Sequence, residues 1–483
     1  MSRFAKIVCT LGPSSSDRAT IIKLIEAGMD VARLNFSHGT HETHLKTLNL
    51  VRESSQELGK PVAVLQDLQG PKLRVGILPA DGIQLTDGSL LTLFTIGTQQ
   101  ADFEGDEKSL PLDVPNLARG VKPGNRILLD DGKMELLVTA VVGDMVKTRV
   151  VQGGLLKSNK GVNLPGADLG IPRFTEKDRQ DLEFGLANAV DFVAISFVES
   201  ELDVLLVRET MKALNPARST TPIIAKLERP EAIKNLHAIM HAADGVMVAR
   251  GDLGVETSPA QVPIVQKEII QCANRHAKVV ITATQMLESM INNPRPTRAE
   301  ASDVANAIFD GTDAVMLSGE TASGEYPVES VKMMDSIARE AEKHMVEWSH
   351  VEEFPKEAMK DDALVISNAA KTLAHDRNVS TIAVFTQSGK TALLMSKARP
   401  RVPIVAFTPE PRTLSLLSMY WGVNPALVPF SNSLEEMVRS VDQYFKERKH
   451  LKVGEQVVLI SGFPVGAMRL PNLALLHSIG EKV

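Results

Sequence analysis

The apolar run IIAKL delivers Lys226 and, two residues on, Glu228, within the segment IIAKLERPEAI. At the two-residue period of a β-strand both side chains point to one face. A second run, VMVARGDLGVE, ends in Arg250-Gly251-Asp252 and puts Asp252 at a neighbouring strand end. Two carboxylates, completed by water and substrate oxygens, suit Mg²⁺, a hard ion that keeps part of its hydration; Mn²⁺ is a compatible substitute. The ammonium of Lys226 beside them can face a phosphoryl oxygen. An isolated Lys-x-Glu is more often a structural ion pair. The glycine turn and the second carboxylate favour a metal and phosphoryl site.

Other segments carry matching chemistry. ARLNFSHG puts Arg33 at a strand end, and arginine recognises phosphate bidentately. His38, His41 and His44 follow at three-residue spacing; helix-capping or surface roles fit them better than zinc, with His38 a candidate nucleotide contact. TATQMLESM sets Thr282 and Thr284 before a helix start, where backbone N–H groups bind anions. MLSGETASGEYP supplies Ser318 and Glu320 at another strand end, with capping and turn chemistry as the competing role. In TQSGKTA, the residues Thr386, Gln387, Ser388, Gly389, Lys390 and Thr391 form a candidate phosphate cradle between a strand and a helix. It lacks the spaced first glycine of a P-loop.

These residues need a scaffold that brings strand ends together. Eight short apolar, β-branched runs end in polar or glycine-containing turns followed by amphipathic stretches: 6–10, 31–35, 62–67, 192–196, 223–226, 245–248, 279–283 and 314–317. That pattern predicts βα units and a parallel sheet. Eight units favour a closed (β/α)₈ TIM barrel, whose chemistry sits where strands end. Between the third and fourth runs the texture changes to short alternating segments with Asp87-Gly88 and Asp131-Gly132 turns, predicting a small inserted β-domain over 71–167. Pro71 and Pro165-Gly166 flank it as hinges, so it can act as a lid. The barrel then comprises 1–70 and 168–344, and 345–483 forms a C-terminal α/β domain.

The bulk properties agree with a soluble enzyme of about three domains. The 483 residues are 43% hydrophobic and 23% charged, with net charge −6, so no basic excess points to nucleic acid or an anionic membrane. Cys9 and Cys272 cannot form a disulfide framework or a multi-cysteine zinc site, and are expected to be buried, reduced thiols. The first residues hold no apolar stretch long enough for a secretory signal, and no run reaches a membrane span. A cytoplasmic location is expected.

IIAKLERPEAI, ARLNFSHGTH, MVARGDLGVE, TATQMLESMINNPRPTRAE and MLSGETASGEYP resemble, in order, the signature segments of the pyruvate kinase family, from residue 3 to beyond 320. The resemblance implies a barrel with an inserted small β-barrel and a C-terminal α/β domain. It also implies phosphoryl transfer from phosphoenolpyruvate to ADP, followed by protonation of enolpyruvate. By motif position, Glu228 and Asp252 would hold Mg²⁺. Lys226 and Arg33 would meet the phosphoryl group. Gly251, Asp252 and Thr284 would hold the substrate carboxylate, and Thr284 with Ser318 would relay the proton. Asn35, His38, Arg74 and Lys177 would contact the nucleotide.

One segment departs from the commoner family pattern. Asp67 is followed by Leu68-Gln69-Gly70-Pro71-Lys72, with lysine where K⁺-dependent members carry a glutamate. The resemblance is therefore to the K⁺-independent, bacterial branch. Lys72 would stand in for the ion in a pocket of Asn35, Ser37 and Asp67, and K⁺ would not be required. The family also implies a sugar-phosphate or nucleotide effector at 386–391 and a homotetramer. Two readings compete: a metal-dependent barrel lyase such as an aldolase, which needs neither lid nor Lys226, and an inactive relative, which would have lost residues of the Lys226, Glu228, Asp252 and Arg33 set.

Overall fold

Each of the eight β-branched runs is a buried strand, and together they close a barrel in sequential order. The strands are β1 (Lys6–Leu11), β2 (Val31–Asn35), β3 (Ala63–Asp67), β4 (Phe192–Ile195), β5 (Ile223–Leu227), β6 (Gly245–Ala249), β7 (Val279–Ala283) and β8 (Ala314–Leu317). Every neighbouring pair is parallel, including β1 with β8. The structure is a computed structural model that describes residues 3–97, 103–167, 169–349, 361–377, 379–448, 451–467 and 469–481. Residue 168, the expected return of the chain to the barrel, and residues 350–360, on the expected approach to the C-terminal domain, lie outside the described residues.

Alternation within the strands decides which side chains reach the site. Ile7, Cys9 and Leu11 of β1 pack outward against the helices, with Ala32, Val64, Ala225 and Leu227 of other strands. Val8, Val31, Leu65, Ile224, Ala194 and Met316 pack inside the barrel. Two residues further on in each strand, the same parity carries Thr10, Arg33, Asp67, Lys226, Ser196 and Ser318 into the layer at the carboxyl end. Helix packing is equally tight. A Cβ on Gly185, in the helix Glu176–Ala187, would lie 1.9 Å from Gln66 Oε1 on β3. Gly185→Ala should therefore lower the thermal midpoint, although alanine is the better helix former by about 1 kcal/mol. An unchanged midpoint would show that Gln66 moves aside freely.

Between β3 and β4 the chain forms a seven-stranded, mainly antiparallel sheet and a two-stranded ribbon. The turn between Arg126–Leu129 and Met134–Val142 uses positive φ at Asp130, Asp131 and Gly132, as the Asp-Gly signal requires. The sheet's two outer strands are joined by the Arg74–Gly161 bridge and by the Val162 N–H bond to the Leu73 carbonyl (3.1 Å). The sheet thus curls round, consistent with the small barrel expected, and leaves little open edge.

The C-terminal sheet has the order Val423–Leu427, Ile404–Thr408, Thr381–Phe385, Gln456–Ser461, Leu473–Ser478. The first four strands are parallel and the last is antiparallel. Charge joins this unit to the barrel. Asp313, just before β8, bonds Lys397 Nζ (2.5 Å) and Arg399 Nη2 (2.8 Å), all three buried. Lys6 Nζ donates to the Val423 carbonyl at 2.7 Å, and Phe4 stacks on Trp421. No helix among the described residues is long and apolar enough to cross a membrane. Cys9 and Cys272 are both free and buried, as expected.

Candidate active site

Lys226 projects from the end of β5 into a ring of oxygen atoms. Its Nζ lies 2.9 Å from Glu228 Oε1, 3.4 Å from Asp67 Oδ1 and 2.8 Å from Ser196 Oγ. Arg33 enters from β2, donating from Nε to Asp67 Oδ2 (2.7 Å) and from Nη1 to Thr10 Oγ1 (2.8 Å). Asp67 therefore bridges the two cations. Burial alone would raise its carboxyl, but Lys226 and Arg33 more than offset this and hold it below the usual carboxylate range. Burial likewise opposes the charge on Lys226, and Asp67 and Glu228 overcome it, raising the ammonium above its ordinary value.

Glu228 Oε2 accepts the backbone N–H of Phe197 at 2.7 Å. Phe197 reaches it from a positive φ of 55°, an uncommon conformation for an aromatic residue. Asp252 sits on the adjoining stave. Burial first, and then the charge of Glu228, push its carboxyl up to about 7. These are hard oxygen donors whose mutual repulsion a divalent cation would relieve, so the residues present fit Mg²⁺. The sign follows directly: the carboxyl must lose its proton to hold the ion. Added Mg²⁺ should raise the thermal midpoint more at pH 8 than at pH 6. A midpoint shift independent of pH would separate Asp252 from the metal.

The turn after β7 is held in a strained form. Thr284 has φ 69° and Gln285 φ 53°, both unfavourable for residues other than glycine. Two bonds impose it: Gly251 N–H to Thr284 Oγ1 and Arg250 Nη2 to the Thr284 carbonyl, both 2.7 Å. Arg250 is itself anchored on Asp303 at 2.6 Å. Glu320 performs a similar service for Ser318, accepting the N–H groups of Ser318 (2.7 Å) and Leu287 (3.0 Å) on its two oxygens. Ser318 is thereby held beside the β7 turn. The inserted sheet overhangs these residues. Asn163 Nδ2 donates to Glu256 Oε1 at 3.1 Å, and the charge of Asp131 reaches Asp252.

A cationic corner adjoins the cluster. Burial, then Lys72, Arg74 and Arg33, lower the basicity of His38. Burial, then Arg74 and Lys177, lower that of Lys72. The Nε of Arg74 is buried with no partner among the described residues. Lys177 is tied to Asp181 (2.5 Å) and to the Phe36 carbonyl (2.9 Å). Asn35 Oδ1 caps the Ser37 N–H at 3.1 Å. The cations that neutralise Asp67 are Arg33 and Lys226, while the charges acting on Lys72 are Arg74 and Lys177. His41 pairs with Asp181 (2.7 Å) and His44 with the His38 carbonyl (2.8 Å), so the three histidines do not converge.

Thr10, Phe197 and the clamping role of Arg250 escaped the sequence reading. Parity in β1 was a usable signal for Thr10; the Phe197 and Arg250 contacts cross between staves and leave no local pattern.

In the C-terminal unit, Thr386, Gln387, Ser388, Lys390 and Thr391 line a cavity of about 110 Å³, faced by Ser431, Ser461 and Arg469. Gly389, at φ 86°, starts the helix Lys390–Lys397 and donates its N–H to Thr386 Oγ1 at 2.9 Å.

Two family models match the chain: the pyruvate kinase barrel domain over residues 2–331 and the pyruvate kinase alpha/beta domain over 364–477. The pyruvate kinase of Mycobacterium intracellulare is 45% identical, with 100% of this chain and 99% of the relative aligned. That of Mycobacterium tuberculosis is 44% identical over the same shares. The Geobacillus stearothermophilus pyruvate kinase is 43% identical over 100% of this chain and 81% of its own length. With both family regions matched and relatives aligned along the whole chain, the chain belongs to the pyruvate kinase family and is a phosphotransferase.

Proposed function

We propose that the chain transfers the phosphoryl group of phosphoenolpyruvate to ADP, yielding ATP and enolpyruvate, which is protonated to pyruvate. The observation that carries this reading is the Lys226 ammonium held between Glu228 and Asp67, beside Arg33 and next to Asp252. Glu228 and Asp252 would hold Mg²⁺ (or Mn²⁺), which when bound would supply Lewis-acid charge neutralisation. Arg33 grips the phosphoryl group. Lys226 faces it during transfer and then stabilises the enolate oxygen electrostatically. The backbone of Gly251 and Asp252, with Thr284, orients the substrate carboxylate. Thr284 and Ser318 pass a proton to the enolate carbon. Asn35, His38, Arg74 and Lys177 meet the nucleotide phosphates, and the inserted sheet (71–167) closes over the barrel (1–70 and 168–344) to exclude water.

K⁺ is not required in this reading. Lys72 lies among Arg74 and Lys177, where a monovalent cation would meet fixed positive charge. The pocket at 386–391 in the C-terminal domain (345–483) takes the phosphate of a sugar phosphate or nucleotide, with Lys390 and Arg469 as cations. A cytoplasmic homotetramer completes the reading, supported by family membership.

A coupled assay with phosphoenolpyruvate tests these statements together. Pyruvate should form only with ADP present, whereas a lyase would need no nucleotide. The rate should survive replacement of K⁺ by Na⁺, and a large loss would return the ion to the site. Phosphorylated sugars and nucleoside monophosphates should shift the substrate saturation curve; if none does, the effector assignment fails while phosphotransfer stands.

A further inference from the structure

The outer wall of the barrel, away from the catalytic mouth, carries a second group of metal-ligating side chains. His237 lies on the helix Leu236–Ala242, Cys272 on the helix Val262–Arg275, and His276 caps the latter helix. Cys272 Sγ lies 3.7 Å from His237 Nδ1 and 3.7 Å from His276 Nδ1. One ligand atom from each of the three falls within 4.8 Å of the others. Zinc–sulfur and zinc–nitrogen bonds of about 2.3 and about 2.0 Å at tetrahedral angles set a sulfur–nitrogen separation of about 3.5 Å. The two sulfur–nitrogen spacings need only a few tenths of an ångström of closure.

The remaining surroundings suit an ion that exchanges with solvent. Cys272 is buried, His276 is half-buried and His237 is exposed, so the group opens outward. The ring of His241, one turn along from His237, lies 5.1 Å from that of His276. Either His241 or a water can take the fourth position. Glu268 adds negative charge near the thiol, and Arg275 opposes it; Lys278 stands near His276. His276 Nδ1 bonds the Cys272 carbonyl at 2.8 Å, a contact an entering ion replaces as the ring proton moves to Nε2. A thiolate with two imidazoles selects borderline transition ions over Mg²⁺.

We propose that His237, Cys272 and His276 form a site for Zn²⁺ or a similar borderline divalent ion, clipping the two helices together on the barrel's outer face. Binding converts the Cys272 thiol to thiolate and releases its proton, so uptake weakens as pH falls.

The test uses the full chain freed of metal with chelator and held in saturating Mg²⁺, which occupies hard oxygen sites. Co²⁺ is titrated as a visible probe and displaced by Zn²⁺. One equivalent should bind per chain with a sulfur-to-cobalt charge-transfer band. Cys272→Ser should abolish the band, and His237→Gln, at an exposed position, should weaken binding by ~10-fold or more. Retained phosphotransfer activity checks that each variant is folded. Absence of the band, or equal binding by wild type and His237→Gln, would overturn the site and leave only adventitious histidine binding.

Discussion

Lys226→Met should abolish most turnover while leaving a folded protein that still takes up Mg²⁺ and substrate. Methionine matches the length and apolar stem of lysine but carries no charge. It therefore removes the ammonium that, in the proposed reaction, faces the phosphoryl group and the enolate. Electrostatic groups of this kind contribute about 3–4 kcal/mol to the transition state, so kcat should fall by ~10²–10³-fold or more. The fold should survive because the neighbours keep other partners: Asp67 retains Arg33, and Glu228 retains the Phe197 N–H. A second readout separates catalysis from structure. Lys226 lowers the Asp252 carboxyl, so its loss should move the pH dependence of Mg²⁺ binding to higher pH. Near-normal kcat in a variant that binds Mg²⁺ would remove Lys226 from the chemistry.

The largest stability effect is expected far from the site, at Asp313. Its carboxylate is 1% exposed and meets Lys397, whose side chain is fully buried, and Arg399. Removing one partner of a buried ion pair typically costs about 3–5 kcal/mol, because the charge left behind keeps its desolvation penalty. Asp313→Ala leaves two such cations and should fall at the upper end of that range. Burial would raise the Asp313 carboxyl, but Lys397 and Arg399 hold it below the usual range. Its contribution is therefore complete above the unfolded carboxylate pKa of about 4 and is lost as pH falls through the lower folded value. Denaturant unfolding at neutral pH measures the loss, which should appear wherever the C-terminal unit and the barrel unfold together. An unchanged unfolding midpoint would mean that the three charges are well solvated without one another.

Much of the site was legible because strands impose a simple rule. Alternation at period two told which residue of each run faces inward, and the polar break at the end of each run marked the catalytic end. Lys226, Glu228 and Arg33 follow from that rule, whereas Asp252 and Thr284 are placed by the turns that follow strand runs and take their roles from the family resemblance. The rule does not say which inward residue meets which. Asp67, read as lining an ion pocket, also bridges Arg33 and Lys226 from two different strands. Lys72 occupies the loop position expected, yet its charged neighbours are Arg74 and Lys177.

By itself the sequence determined the barrel, the β-insert, the terminal α/β unit and the charged and hydroxyl residues that gather at the strand ends, since these depend on local periodicity and residue type. Tertiary structure alone decided the Asp67 bridge, the Arg250 clamp on the strained Thr284, the buried Asp313 triad and the meeting of His237 with Cys272. The reason is geometric: each of these contacts joins different elements, and only ring closure and helix packing bring their side chains within a few ångströms.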